Sequence, residues 1–173
     1  MTRTGRLPLL LGIVAICFLL DQGSKGLAAA YLRDAPPRIY LGDLFRLQFA
    51  LNQGSFLGLG GSLGEEVRFG VFVVGVGALL SWLTVYILRA ESPRLSSVVG
   101  IALILGGGFS NWADRVMYGN VVIDFMNVGI GWLRSGIFNV ADLQIEAGVI
   151  LLLVANWRAS RAPQPAEESA AAG

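Results

Sequence analysis

Four long apolar stretches, at about 7–32, 67–88, 95–113 and 138–157, constrain this chain more than any other feature. Each is near the roughly 20 residues an α-helix needs to cross the hydrocarbon core of a bilayer. Lipid offers the backbone no hydrogen bonds, so such stretches must satisfy their own N–H and C=O groups and are expected to be helical. With 54% hydrophobic and only 14% charged residues, the chain is far from the composition of an ordinary soluble domain. Its mean hydropathy of +0.64 points the same way.

The last stretch contains an anomaly. "FNVADLQIEAGVILLLVANW" carries Asp142 and Glu146 four residues apart, on one helical face. A charged carboxylate at the centre of a spanning helix costs at least about 2.5 kcal/mol, so such residues usually face the bundle interior and mark function. Histidine is absent, which removes the common general base and every Ser-His or Cys-His pair. The single cysteine, Cys17, excludes an internal disulfide, and a net charge of +1 gives no argument for nucleic acid. Acid–base chemistry here falls to carboxylates, and neither a metal nor a cofactor is expected.

Between the first two stretches, "LFRLQFALN" alternates, with Phe45, Leu47, Phe49 and Leu51 on one side and Arg46, Gln48, Ala50 and Asn52 on the other. "VVIDFMNV" (121–128) alternates likewise, setting Val121, Ile123 and Phe125 against Asp124. This is strand periodicity. It predicts a small extracytoplasmic sheet at the interface, with Trp132 as an anchor. Ser62 and Glu65 have capping-box spacing before the second stretch. Ile16 stands where a lipoprotein precursor needs a small residue before its cysteine, so the first helix reads as retained. The Pro/Ala/Glu-rich tail, 161–173, reads as a disordered cytoplasmic segment following one integral-membrane domain, 1–160. Arg3, Arg6, Arg89, Arg94, Arg158 and Arg161 flank one face and about as many arginines flank the other. The short basic flanks "MTRTGR" and "LRAESPR" favour cytoplasmic termini.

A short list of polar residues then collects at one depth: Asp21, Lys25, Asn52, Asn111, Asp114, Arg115, Asp124, Asn139, Asp142 and Glu146. Each has a bland reading. Asp21 and Lys25 can neutralise each other as an i,i+4 pair, and Asp142 can merely close a capping box with Asn139. Asp124 can be a solvated residue of an edge strand, and Trp112 and Phe138 simply lipid- or core-facing. The glycines of "LGGGF" read as close helix packing. The functional reading joins several of them: two aspartates held together share a proton, one activating water and the other protonating a scissile carbonyl. Periodicity alone does not bring Asp124 and Asp142 together. A proton relay or small transporter also uses intramembrane acids, but would distribute them through the membrane.

Five motifs in order, "DQGSK", "NQGSF", "GGGFSNWADR", "VVIDF" and "FNVAD", give the chain a resemblance to the bacterial lipoprotein signal peptidases, over essentially all but its tail. That resemblance implies an intramembrane aspartyl protease of four spanning helices, with a periplasmic sheet (the cradle) and a short interfacial helix at Glu65–Phe69. It places the catalytic pair on Asp124 and Asp142, with supporting roles for Asp21, Lys25, Asn52, Gly54, Asn111, Arg115 and Asn139. It implies a diacylglyceryl-modified prolipoprotein as substrate, cut just before the lipidated cysteine. The expected setting is a bacterial inner membrane among its lipids, with a monomeric enzyme and its active site near the outer face. Ser110 stands where the family usually has glycine, and Leu143, Gln144 and Glu146 where it has small or apolar residues. Those departures motivate the alternative of a non-catalytic paralogue that binds lipidated signal peptides.

Overall fold

The computed structural model describes residues 3–54 and 64–161. Ser62 and the tail from 162 onward lie outside the described residues. The helices are α1 (Arg3–Leu32), α2 (Glu65–Phe69), α3 (Val76–Arg89), α4 (Leu95–Met117) and α5 (Val140–Ser160). The strands are β1 (Arg38–Tyr40), β2 (Phe45–Asn52), β3 (Val122–Ile130) and β4 (Leu133–Arg134). Four helical segments, Gly5–Leu32, Glu65–Arg89, Leu95–Met117 and Val140–Ser160, are long and apolar enough to cross a membrane. The chain is a helical polytopic membrane protein.

The ends of the spans have physical causes. The third runs to Met117 because Asp114 and Arg115, which hydropathy excludes, are buried against polar partners. The fourth begins at Val140 because Asn139 takes the N-cap, in extended conformation, and its side chain accepts from the Asp142 amide. The short helix α2 is present and continues through a π-helical segment, Gly70–Gly75, into α3. In that segment the Val73 carbonyl accepts a bond from the Trp112 indole at 2.8 Å. Trp112 is thus anchored by a polar contact as well as packed.

Helix α4 is the hub of the bundle. Its three successive glycines admit three different neighbours: a Cβ at Gly106 would strike Cys17 of α1, at Gly107 the backbone of Ala141 in α5, and at Gly108 Leu80 of α3. Without a hydrophobic driving force between helices in lipid, such close backbone approach is the main source of packing energy. Val98, Ile101 and Leu105 of α4 meet Leu10, Leu80 and Ile87 in the core.

Near the other end of α1, the buried Arg6 side chain closes the C-terminus of α3, donating to the carbonyls of Ile87 at 2.6 Å and Ala90 at 2.7 Å. Helix ends leave carbonyls unsatisfied, and a cation there is favoured. Arg6→Met, which keeps the apolar stem, is expected to cost about 1–3 kcal/mol through the orphaned carbonyls. Thermal unfolding in detergent would register this as a lower Tm; an unchanged Tm would refute the cap.

The strands form one antiparallel sheet in the order β1-β2-β3-β4. Leu47 and Phe49 lie against Ala28 and Leu32 of α1 and Phe125 of β3, seating the sheet on the end of the first span. The register slips between Leu47 and Ala50, so the alternation in β2 does not run through to Leu51, which is 58% exposed. Strand β3 lies inside the sheet, and Val122 through Phe125 are all buried. Asp124 is therefore not the solvated edge residue of the bland reading: it is 1% exposed.

Candidate active site

The separation of eighteen positions from Asp124 to Asp142 is closed by a hairpin and a clasp. Strand β3 pairs with β4, and the returning chain bonds back to β3 at Phe138: Met126 N–H donates to the Phe138 carbonyl and Phe138 N–H to the Met126 carbonyl, both at 2.8 Å. This sets Asn139 beside Asp124 at the moment it caps α5. One residue then holds both acids. The Asn139 side-chain amide donates to Asp124 Oδ1 at 2.6 Å, and its backbone N–H donates to Asp142 Oδ2 at 3.0 Å. The Asn139–Asp142 capping box is real, so the bland reading of Asp142 is correct as far as it goes. It does not exhaust the residue.

Each remaining carboxylate oxygen has its own donor. Asn52 Nδ2 reaches Asp124 Oδ2 at 2.9 Å, and Asn111 Nδ2 reaches Asp142 Oδ1 at 2.9 Å. The orientation of Asn111 is fixed in turn, since its Oδ1 accepts from Asn139 at 3.0 Å and from Lys25 Nζ at 2.8 Å. Burial pushes the Asp124 carboxyl up to about 6; the bonds from Asn52 and Asn139 oppose this, and the nearby Asp142 charge adds to it.

Behind the pair lies a buried ionic cluster. Lys25 Nζ is 2.6 Å from Asp21 and 2.8 Å from Asp114, with all three side chains at most 2% exposed. The i,i+4 pair of the bland reading exists, but it is two-thirds of a three-residue unit tying α1 to α4. Asp21 also accepts from the Ala141 amide at 2.8 Å, satisfying another free N–H at the start of α5. Asp114 accepts from Gln22 at 2.7 Å and from the Ile123 amide at 3.3 Å, holding β3 next to Asp124. Arg115 donates to the carbonyls of Gly54 and Asn120 and lies 4.6 Å above the Phe72 ring. Gly54 also donates its N–H to Asn52 Oδ1 at 2.9 Å, which fixes the turn that aims Asn52 at Asp124.

Nine of the ten residues singled out from the sequence thus fall into one connected arrangement; Glu146 lines the cavity beside them without joining it. Sequence reasoning missed Gln22 as a ligand of Asp114, although it sits inside "DQGSK". It also took Ser110 only for a departure from the family's glycine. The Ser110 hydroxyl, fully buried, donates to Asp21 at 2.7 Å and accepts from Gln22 at 3.0 Å. Gln144 spans to α1, donating to the Cys17 carbonyl at 3.1 Å.

The acids open onto a cavity of about 600 Å3, lined also by Asn52, Phe72, Trp112 and Ile145. Its lining comes from the second span, α4, α5 and the sheet. A spanning bundle with two hydrogen-bonded carboxylates at the head of an apolar cavity has the makings of a membrane-embedded hydrolase. The comparisons agree. The sequence model of the family described as Signal peptidase (SPase) II matches residues 13–158. A lipoprotein signal peptidase of Methylobacterium sp. is 38% identical over 162 residues, covering 89% of this chain and 93% of that protein. One of Pelodictyon phaeoclathratiforme is 33% identical over 157 residues, covering 86% and 89%. A solved structure described as a bacterial membrane enzyme superposes with a TM-score of 0.78 at 24% identity, covering 92% of this chain and 94% of that one. The chain belongs to the signal peptidase II family of membrane proteases.

Proposed function

We propose that this protein is an aspartyl endopeptidase that removes the signal peptide from diacylglyceryl-modified prolipoproteins, cutting just before the lipidated cysteine. The observation that carries the chemistry is Asn139 bonding both Asp124 and Asp142 at the head of the apolar cavity. Two neighbouring carboxyls hold one proton between them. The ionised partner takes a proton from water, the water oxygen adds to the scissile carbonyl carbon, and the protonated partner gives its proton to the carbonyl oxygen. Collapse of the tetrahedral adduct breaks the C–N bond and sends a proton to the leaving amine. Burial, which pushes the Asp124 carboxyl up to about 6, favours a proton shared within the pair over ionisation of both acids. Asn52, Asn111 and Asn139 fix the carboxylates, while Arg115 and Gly54 hold the strand end. Asp21, Lys25 and Asp114 brace the three elements that carry them.

The bilayer already concentrates such a substrate, whose acyl chains and signal helix both lie in lipid, so the protein needs only to admit a laterally diffusing helix. We place the protein in a bacterial inner membrane as a monomer, with both termini cytoplasmic and the sheet and acids toward the outer face. The exposed tip of the sheet, with Ile130 76%, Trp132 93% and Leu133 68% exposed, suits an interfacial anchor. The test is cleavage of matched peptides with and without the diacylglyceryl group by the purified protein in detergent. Release of the signal peptide from the lipidated form, with a new amino-terminal cysteine, is expected. Binding of the lipidated peptide without release would favour the non-catalytic alternative.

A further inference from the structure

The proteolytic reading leaves one charged residue of the cavity without a task. Glu146 lines the same cavity as Asp142, one turn farther along α5, and is exposed. Among the described residues no hydrogen bond or ion pair engages its side chain. Its companions on that wall are apolar: Phe72, Val76, Trp112 and Ile145. Arg115, the cation of the cavity, is committed to the carbonyls of Gly54 and Asn120 and to the Phe72 ring. An acid standing open in an apolar, membrane-depth wall is costly unless something it binds repays the cost.

We propose that Glu146 is a specificity-determining residue, receiving a hydroxyl-bearing side chain, serine or threonine, from the signal peptide upstream of the scissile bond. The inference rests on the proteolytic reading. Four residues of α5 place Glu146 about 6 Å from Asp142 along the helix, away from the sheet. An extended substrate, rising about 3.3 Å per residue, covers that distance in two residues, and a helical one in four. The position served therefore lies two to four residues before the residue at the cut. The chemistry selects a hydroxyl over a cation. A signal segment crosses the hydrocarbon, where lysine and arginine are strongly disfavoured, whereas serine and threonine are tolerated. A carboxyl group and a hydroxyl each accept a hydrogen bond, and the hydroxyl donates one, so the pair satisfies both groups once water is excluded.

The test uses diacylglyceryl-modified peptides that differ only by serine or alanine at each of those upstream positions. They are cleaved by the parent, by Glu146→Ala and by Glu146→Gln, and kcat/KM is compared within each protein. The expected result is a five- to tenfold preference for serine at one position in the parent, about the worth of one hydrogen bond. That preference falls to about one in Glu146→Ala, while Glu146→Gln, which keeps an acceptor, retains part of it. Equal serine-to-alanine ratios in the parent and Glu146→Ala would overturn the proposal while leaving the proteolytic reading intact. Loss of all cleavage in both variants, with the parent active, would overturn it too, by making Glu146 necessary to the reaction itself. A parent that cleaves no peptide defeats the proteolytic reading, and this inference falls with it.

Discussion

Asp124→Asn is expected to lose at least about a thousandfold in turnover and, in the same protein, to lose part of the parent's dependence of stability on pH. The two effects have one cause. The Asp124 carboxyl is buried, and its charged form is disfavoured, so it titrates at about 6 when folded against an ordinary 3.8. A raised folded value means that its stabilising contribution is complete below about 3.8 and is lost as pH rises through about 6. The gap corresponds to about 3 kcal/mol. The parent should therefore lose about that much stability between pH 4 and pH 7.5 through this group, and Asp124→Asn should not. Carboxylates away from the pair titrate alike in both proteins, so the difference between the two unfolding curves reports Asp124 together with its coupling to Asp142. Parallel curves would mean that the folded protein does not disfavour the charge at 124.

Lys25→Met carries the largest expected cost in stability. It leaves Asp21 and Asp114 buried opposite one another with their shared cation gone. Removing one partner of a buried ionic group costs about 3–5 kcal/mol, because the remaining charge has neither water nor counterion. In a chain of this size that lowers Tm by roughly 10 °C. Asp114→Asn should cost less, since Lys25 keeps Asp21, and combining it with Lys25→Met should recover part of the loss. Activity should fall as well, because Lys25 holds the Asn111 carbonyl that orients the amide on Asp142. A Lys25→Met protein that unfolds like the parent would show that the cluster does not bear the load assigned to it.

The four spans were legible in the sequence because the bilayer allows so few solutions; length and hydropathy place them to within a few residues. The sheet was legible from alternation, although the bulge before Ala50 and the cover on both faces of β3 were not, since neither leaves a mark on the pattern. Asp124 shows the limit most clearly. Alternation read it as facing solvent, and its burial follows from α1, α4 and β2 closing around β3. The meeting of Asp124 with Asn139 depends on the clasp between Met126 and Phe138, made by backbone groups that carry no residue signature. Ser110 stood out only as a serine in the place of the family's glycine. Its hydroxyl turned out to be a working member of the buried network, bonded to both Asp21 and Gln22. A single polar atom in a glycine's place can be absorbed when a carboxylate lies within reach.

Single-turnover cleavage of one diacylglyceryl-modified signal peptide by the parent and by Asp142→Asn bears most directly on the proposed chemistry, with products weighed by mass spectrometry and folding checked by near-ultraviolet circular dichroism. The parent should release the signal peptide and leave the lipidated cysteine as a free amino terminus, while folded Asp142→Asn, which still accepts the Asn139 bond, should release none. Cleavage at the parent's rate by Asp142→Asn would contradict the aspartate pair.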